Sequence, residues 1–522
     1  MSSDRARVRL VQAGAALAAA ALIAGCGNSY RPVVTPINPS GPAAQPTSYA
    51  VVVSAPSPTS AGIATIIDYS GDTVMAVAPI GPGPSNFVVD QLGATGYTLD
   101  SDGTVTNFPI TTSLQAKNVT YSTLSSTAQV VNFTAPSAGL WAPDLNGNVI
   151  DLFSSSPEAF KLAIPVAPTP VLVVGSPTLS GQREYALSEN FTDPTGLVCT
   201  NAPTTAPTGV ATPIEITTDS ADTPIPVGKC PVYGIQTPDL RRLFVFNRGD
   251  DTVTVINTQN NASDSCTPYQ NQNGQWITCH PVLPLSTSAV NATGITPPNG
   301  ISGMPATAGP VYAEYNSATN QIVVANYDAG TITVIDVTLD EYGNDSNTYA
   351  NPSCTLNGKT SYANCGAITG GFGTTYTIPV GKNPASVTVL ADGSRAYTAN
   401  QTDGTVTIAN LTSHTVEKTL TVVGHPRTVT STQNSLYGKV YVASPDSPYL
   451  TILATLTDLV DTTVLVEGNI VDMRVTTQTG TSGNNNVFSR TPGYGQPCNL
   501  PPALMTSTYG AGYTLKQCRT LP

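Results

Sequence analysis

Residues Lys382 to Gly424 read KNPASVTVLADGSRAYTANQTDGTVTIANLTSHTVEKTLTVVG. Within them ASVTVLA, RAYTAN, GTVTIAN and KTLTVV alternate apolar with small polar residues. A period of two puts every second side chain on the same face of a strand, so each run is a strand with one face on a core. Asp392-Gly393, Asp403-Gly404 and Ser413-His414 separate the runs. Asp and Gly there supply the positive φ angles and local hydrogen bonds of tight hairpins. The stretch thus predicts one four-stranded antiparallel sheet. Such a sheet cannot bury its faces alone, so its partners must come from elsewhere in the chain.

Copies of the same unit provide them. The chain reads RLFVFNRGDDTVTVIN from Arg242, QIVVANYDAGTITVID from Gln321 and KVYVASPDSPYLTIL from Lys439. More diverged copies are GYTLDSDGTVTNFPI from Gly96, GLWAPDLNGNVIDLF from Gly139, and EYALSENF from Glu184, which resumes at GVATPIEITT. A first copy, YAVVVSAPSPTSAGIATII, starts at Tyr49, and the joints between copies include IPVG at Ile225, IPVG at Ile378 and VVGHP at Val422. Repetition of a four-strand unit is the mark of a β-propeller, whose radial blades bury one another's faces. The unit resembles the YVTN-type β-propeller repeat, closely from about Cys230 to Gly468 and loosely from about Tyr49 to Gly228. That resemblance implies an all-β propeller of four-stranded antiparallel blades.

Counting second-plus-third-strand pairs gives eight blades, where the family usually has seven. The first copy has no innermost strand before Tyr49, whereas Asn469–Thr477 (NIVDMRVTT) is a surplus strand after the last copy. Placed beside Tyr49–Val53, it would complete the first blade and close the ring. The propeller is therefore expected over residues 48–477. An irregular, disulfide-clipped tail is expected over 478–522.

Residues 1–25 have the form of an export signal, with Arg5, Arg7 and Arg9 ahead of the apolar VQAGAALAAAALIAG. Ile23-Ala24-Gly25-Cys26 resembles a bacterial lipobox, which implies a lipid thioether on Cys26. Gly27, where an Asp would signal retention, implies the outer membrane by the same resemblance. Residues 26–47 are rich in Pro and Ser and read as an extended tether. Without residues 1–25 the chain falls from 21 basic and 33 acidic residues to 18 and 32, a net charge of −14. An acidic chain with no basic run excludes nucleic acid, because phosphate binding needs clustered Lys and Arg.

Eight cysteines remain beside Cys26, an even number that suits disulfides in an exported chain. The repeat frame pairs them by location. Cys266 and Cys279 share one insertion after a third strand, and Cys354 and Cys365 share the equivalent insertion of the next blade. Cys498 and Cys518 share the tail. Cys199, in a loop between second and third strands, and Cys230, in the following joint, emerge on the same face of a propeller. No CxxC or Cys/His cluster suggests a metal, and no cofactor is expected.

Chemistry is sparse. The chain has no GxSxG, HExxH, P-loop or dinucleotide motif. Of three histidines, His280 and His414 read as surface residues, while His425 opens HPR at a joint. Arg427, Lys382 and Lys229 fall at comparable joints, and together with His425 they could ring a channel mouth and hold an anion. The acidic turns at Asp100, Asp144, Asp250 and Asp403 lack a full calcium ligand set and read as hairpin turns. The expected function is a non-catalytic, monomeric, envelope-anchored scaffold. Its face loops would bind a protein, peptide or glycan. The alternative is a lactonase-like hydrolase over the central channel, since lactonase-type propellers share this architecture. One consequence concerns the anchor: Cys26→Ser should release the protein from membranes or leave an uncleaved precursor, because each buried lipid CH₂ contributes about 0.8 kcal/mol. A processed protein that still fractionates with the outer membrane would show that Cys26 is not the lipid site.

Overall fold

The computed structural model describes residues 48–476 except for short stretches, of which 124–139, 290–303 and 350–367 are the longest. The expected signal segment, tether and tail lie outside the described residues, as do Cys26, Cys266, Cys354, Cys365, Cys498 and Cys518. Eight antiparallel sheets follow one another along the chain as blades. In blade 7 the strands Pro384–Val389, Arg395–Asn400, Thr405–Asn410 and Thr415–Thr421 lie side by side in sequence order. Blades 2, 4, 5, 6 and 8 begin at Asn86, Pro170, Pro231, Pro310 and Thr428, and blade 3 is described from Leu140.

The burial pattern explains the composition of each strand. Pro384–Val389 is buried throughout, and Arg395–Asn400 is buried at all but its first residue. The outermost Thr415–Thr421 is exposed at most positions. Inner strands have a neighbouring blade on both faces and so carry Val, Ala, Ile and Tyr. The outer strand borders solvent and carries Thr, Glu and Lys. The turns match their glycines, with φ of +71° at Gly393 and +63° at Gly404, angles at which a Cβ is strained.

The Asn that ends the second strand has a specific task. Asn400 Nδ2 donates to Thr405 Oγ1 at 3.1 Å and to Thr407 Oγ1 at 2.8 Å. Asn247 does the same with Thr252 and Thr254, and Asn326 with Thr331 and Thr333. One amide thus ties the second strand to two hydroxyls of the third, at a buried position where unpaired polar groups are costly.

Adjacent blades are joined by a second recurring device. A cation at the first position of a second strand reaches the turn after the third strand of the next blade. Arg395 donates to Thr455 O at 2.8 Å and pairs with Asp458 at 2.5 Å. Arg183 donates to Thr258 O at 3.0 Å. Lys439 of blade 8 reaches Tyr69 O at 2.7 Å and Asp72 at 2.5 Å in blade 1. The last of these carries the pattern across the junction between the chain's ends.

Blade 1 is built from both ends of the propeller. Its order is Val74–Pro82, Ala61–Asp68, Tyr49–Ala55 and, innermost, Asn469–Val475. Val52 pairs with Met473 and Ala50 with Val475, with a register shift between Val53 and Ser54. Tyr49 N donates to Thr476 Oγ1 at 2.7 Å, and Thr476 N donates back to Tyr49 O at 2.8 Å. Both the eight-blade count and the closing strand are therefore as the repeat pattern predicts.

Without the closing strand, Tyr49–Ala55 would present a bare edge of backbone donors and acceptors, a template for aggregation. Truncation after Gly468 should give a protease-sensitive or aggregating product, and truncation after Thr477 a soluble folded core. Equal melting temperatures for the two, measured by circular dichroism, would contradict this account of closure.

Candidate functional site

Connections between second and third strands, and the joints between blades, emerge on one face of the ring. The joint cations are placed there by acidic turns of the following blade. Lys229 N donates to Asp250 Oδ2 at 3.1 Å, Lys382 N to Asp403 Oδ2 at 2.8 Å and His425 N to Asp446 Oδ1 at 2.8 Å. These aspartates are clamps that hold each joint against the next hairpin. Burial pushes the Asp250 carboxyl above its ordinary range, against the opposing bonds from Thr252 and the Lys229 amide.

The four side chains themselves diverge. Lys229 Nζ donates to Thr204 O at 2.8 Å, inside the loop that carries Cys199, and Lys382 is exposed. His425 Nδ1 lies 2.5 Å from Asp446 Oδ2 with the ring about one-third exposed. Arg427 turns inward, is 2% exposed, and donates through Nη2 to Val471 O of the closing strand. No hydrogen bond or ion pair links any two of these four. His425 and Asp446 have the form of an oriented base, but among the described residues no hydroxyl side chain bonds to His425.

The opposite face carries the connections between third and fourth strands, including the insertions of blades 5 and 6. Here the histidine expected at the surface is buried. His280 is 4% exposed because its backbone N and its Nδ1 both hold Asp345 Oδ2, at 2.8 and 2.9 Å, and its ring packs on Phe372. Arg242, opening the second strand of blade 5, lies 3.3 Å from Asp264 in one insertion and 3.5 Å from Asp345 in the other. It also donates to Gly343 O at 3.1 Å. Burial, then the neighbouring Asp345 charge, push the Asp264 carboxyl up to about 8. His414 sits at its turn with φ +56°, half-buried, its ring stacked 3.8 Å from Tyr376.

The Cys199–Cys230 bridge is formed, with Cα atoms 5.5 Å apart, and it fastens the 190–208 loop to the joint before blade 5. Cys279 is also disulfide-bonded. Among the described residues no cluster of three or more His, Cys, Asp or Glu could hold a metal ion. No helix among them is long and apolar enough to cross a membrane.

Two charged residues that sequence reasoning passed over stand out on the closing strand. Asp472 and Arg474 are buried to 0% and 2% exposure. The signal that could have found them is the D-x-R pair itself, since a charge in an innermost strand must be satisfied by something inside.

The fold and site define an eight-bladed β-propeller. No family model matches the chain, and no curated protein does. Solved structures do. The chain is similar to AztD from Citrobacter koseri, with a TM-score of 0.50 and 10% identity over 83% of this chain and 99% of that one. It is also similar to a putative 6-phosphogluconolactonase from Bacteroides fragilis, with a TM-score of 0.44 and 13% identity over 83% and 99%. At such identities the likeness concerns the fold alone.

Blade 2 departs from the hairpin rule in a testable way. Asp100 stands where the best copies have Asn, receiving Thr98 at Oδ1 (2.9 Å) and Thr104 and Thr106 at Oδ2 (3.1 and 2.5 Å). Burial pushes its carboxyl up to about 7, despite those bonds. The unfolded chain releases this proton near pH 4, so the folded state binds more protons between pH 4 and 7 and stability falls as pH rises through that window. Asp100→Asn should leave stability at pH 4 nearly unchanged and raise it at pH 8 by about 2–4 kcal/mol. Urea melts of both proteins at the two pH values measure this. A gain of equal size at pH 4 would mean that the carboxylate is not the cause.

Proposed function

We propose that the protein is a non-catalytic propeller, anchored to the bacterial outer membrane through Cys26, whose insertions present a preorganised surface to a protein, peptide or glycan of the envelope. The observation that carries this is the Arg242 cluster. One side chain of the rigid blade 5 holds Asp264 and Asp345, which belong to two different insertions, and His280 braces Asp345 from the first insertion. Phe372, fully buried, packs on Phe244 of the blade with ring centroids 6.1 Å apart. Loops held in this way lose little conformational freedom on binding, so more of the contact energy appears as affinity. The group also resists rearrangement, because removing Arg242 would strand Asp345 in a low-dielectric interior.

The hydrolase alternative would need a nucleophile or an activated water beside a base. His425 supplies the base geometry, but among the described residues no hydroxyl is bonded to it, which does not favour hydrolysis. Arg242→Leu should raise amide hydrogen exchange in both insertions while blades 1 and 2 keep their protection. It should also abolish retention of the envelope partner that the unaltered chain captures, and the unaltered chain should turn over no member of a lactone panel. Lactone turnover that disappears in His425→Ala would overturn the binding assignment in favour of hydrolysis.

A further inference from the structure

On the innermost strands of blades 8 and 1, three buried charged side chains meet with their bonds incomplete. Arg474 Nη1 donates to Asp472 Oδ1 at 2.8 Å and to Met473 O at 2.7 Å. Thr428 Oγ1, at the start of blade 8, donates to the same Asp472 Oδ1 at 2.8 Å. Arg427, one residue earlier, holds Val471 O through Nη2. Four further polar atoms of the group have no protein partner: Arg474 Nε and Nη2, Arg427 Nη1 and Asp472 Oδ2. Each residue is 2% exposed or less.

Leaving a buried polar group unpaired costs about 1–3 kcal/mol, and more for a charged one. Four such atoms on three neighbouring residues imply a guest. The pattern is informative, because Nε and Nη2 form the side-on edge of a guanidinium, the edge that grips two oxygens of one oxyanion. Charge points the same way. Arg474 pairs with Asp472, while Arg427 forms no ion pair among the described residues, leaving one surplus positive charge. Water could complete the hydrogen bonds but would leave that charge uncompensated in the interior. Asp472 Oδ2 accepts only, so beside the oxyanion it favours a hydroxyl or ammonium donor.

We propose that this buried group on the innermost strands binds a small carboxylate carrying an adjacent donor, such as a 2-hydroxy acid, with the carboxylate on the Arg474 edge and the donor on Asp472. The site shares no residue with the insertion surface, so either proposal can fail without the other. The test is the melting temperature of the full chain at pH 7 in sodium glycolate, acetate, phosphate or chloride at equal ionic strength, since a ligand of the native state alone raises it. Glycolate should stabilise most, acetate less, and phosphate and chloride least. Arg474→Gln should weaken glycolate at least tenfold. Should that variant not fold, Asp472→Asn keeps both arginines and should erase the preference for glycolate over acetate while strengthening acetate. Equal melting in glycolate and chloride would mean that only water fills the site and would overturn the proposal. Stronger stabilisation by phosphate would overturn the carboxylate assignment, and equal effects of glycolate and acetate on the unaltered chain would overturn the role of Asp472.

Discussion

The pairing of Asn469–Val475 with Tyr49–Ala55 is the constraint on which the rest depends. A propeller blade buries its faces only against its neighbours, so an open array would leave two sheets half-wet and one edge unpaired. Joining residues more than 400 positions apart also makes the ring a single mechanical unit. The cations that open the second strands reinforce this, because each ties its blade to the next in the same rotational sense, from blade 8 across to blade 1 as well. The insertions and the buried charged group are mounted on that closed frame.

Polar groups inside the frame follow one rule and depart from it in informative places. The hairpin amide of Asn247, Asn326 and Asn400 satisfies two threonine hydroxyls without placing a charge in the interior. Blade 2 keeps the geometry but uses Asp100, and blade 3 sets Asp144 and Asp151 at equivalent positions, with burial and then Asp144 pushing Asp151 up to about 6. Buried in this way, Asp100 and Asp151 favour the protonated state more than free carboxyls do. The later blades have amides there, which do not titrate and so add no such pH dependence.

The two faces of the ring are held by different contacts. The joint face is held by Asp clamps and by the Cys199–Cys230 bridge. The opposite face is held by Arg242 and the two insertions it pins. Both arrangements tie loops to the blades through contacts between residues distant in sequence.

The sequence by itself determined the blades, their number and the manner of closure. Strand period, turn residues and the copy-to-copy frame are local properties, and a period-two pattern with Gly and Asp turns has few other solutions. It also located the Cys199–Cys230 pair, since both residues sit in connections that any propeller sends to the same face. Only the tertiary structure decided what the charged residues do. His280 looked like a surface residue in a polar insertion until Asp345, 65 positions away, was brought to it. Arg427 looked like a rim cation until it turned toward Val471, 44 positions on. Asp472 and Arg474 looked like two ordinary members of a closing strand. A charge buried in a protein takes its meaning from partners that are distant in sequence, and repeat periodicity holds no record of which side chains meet across the ring.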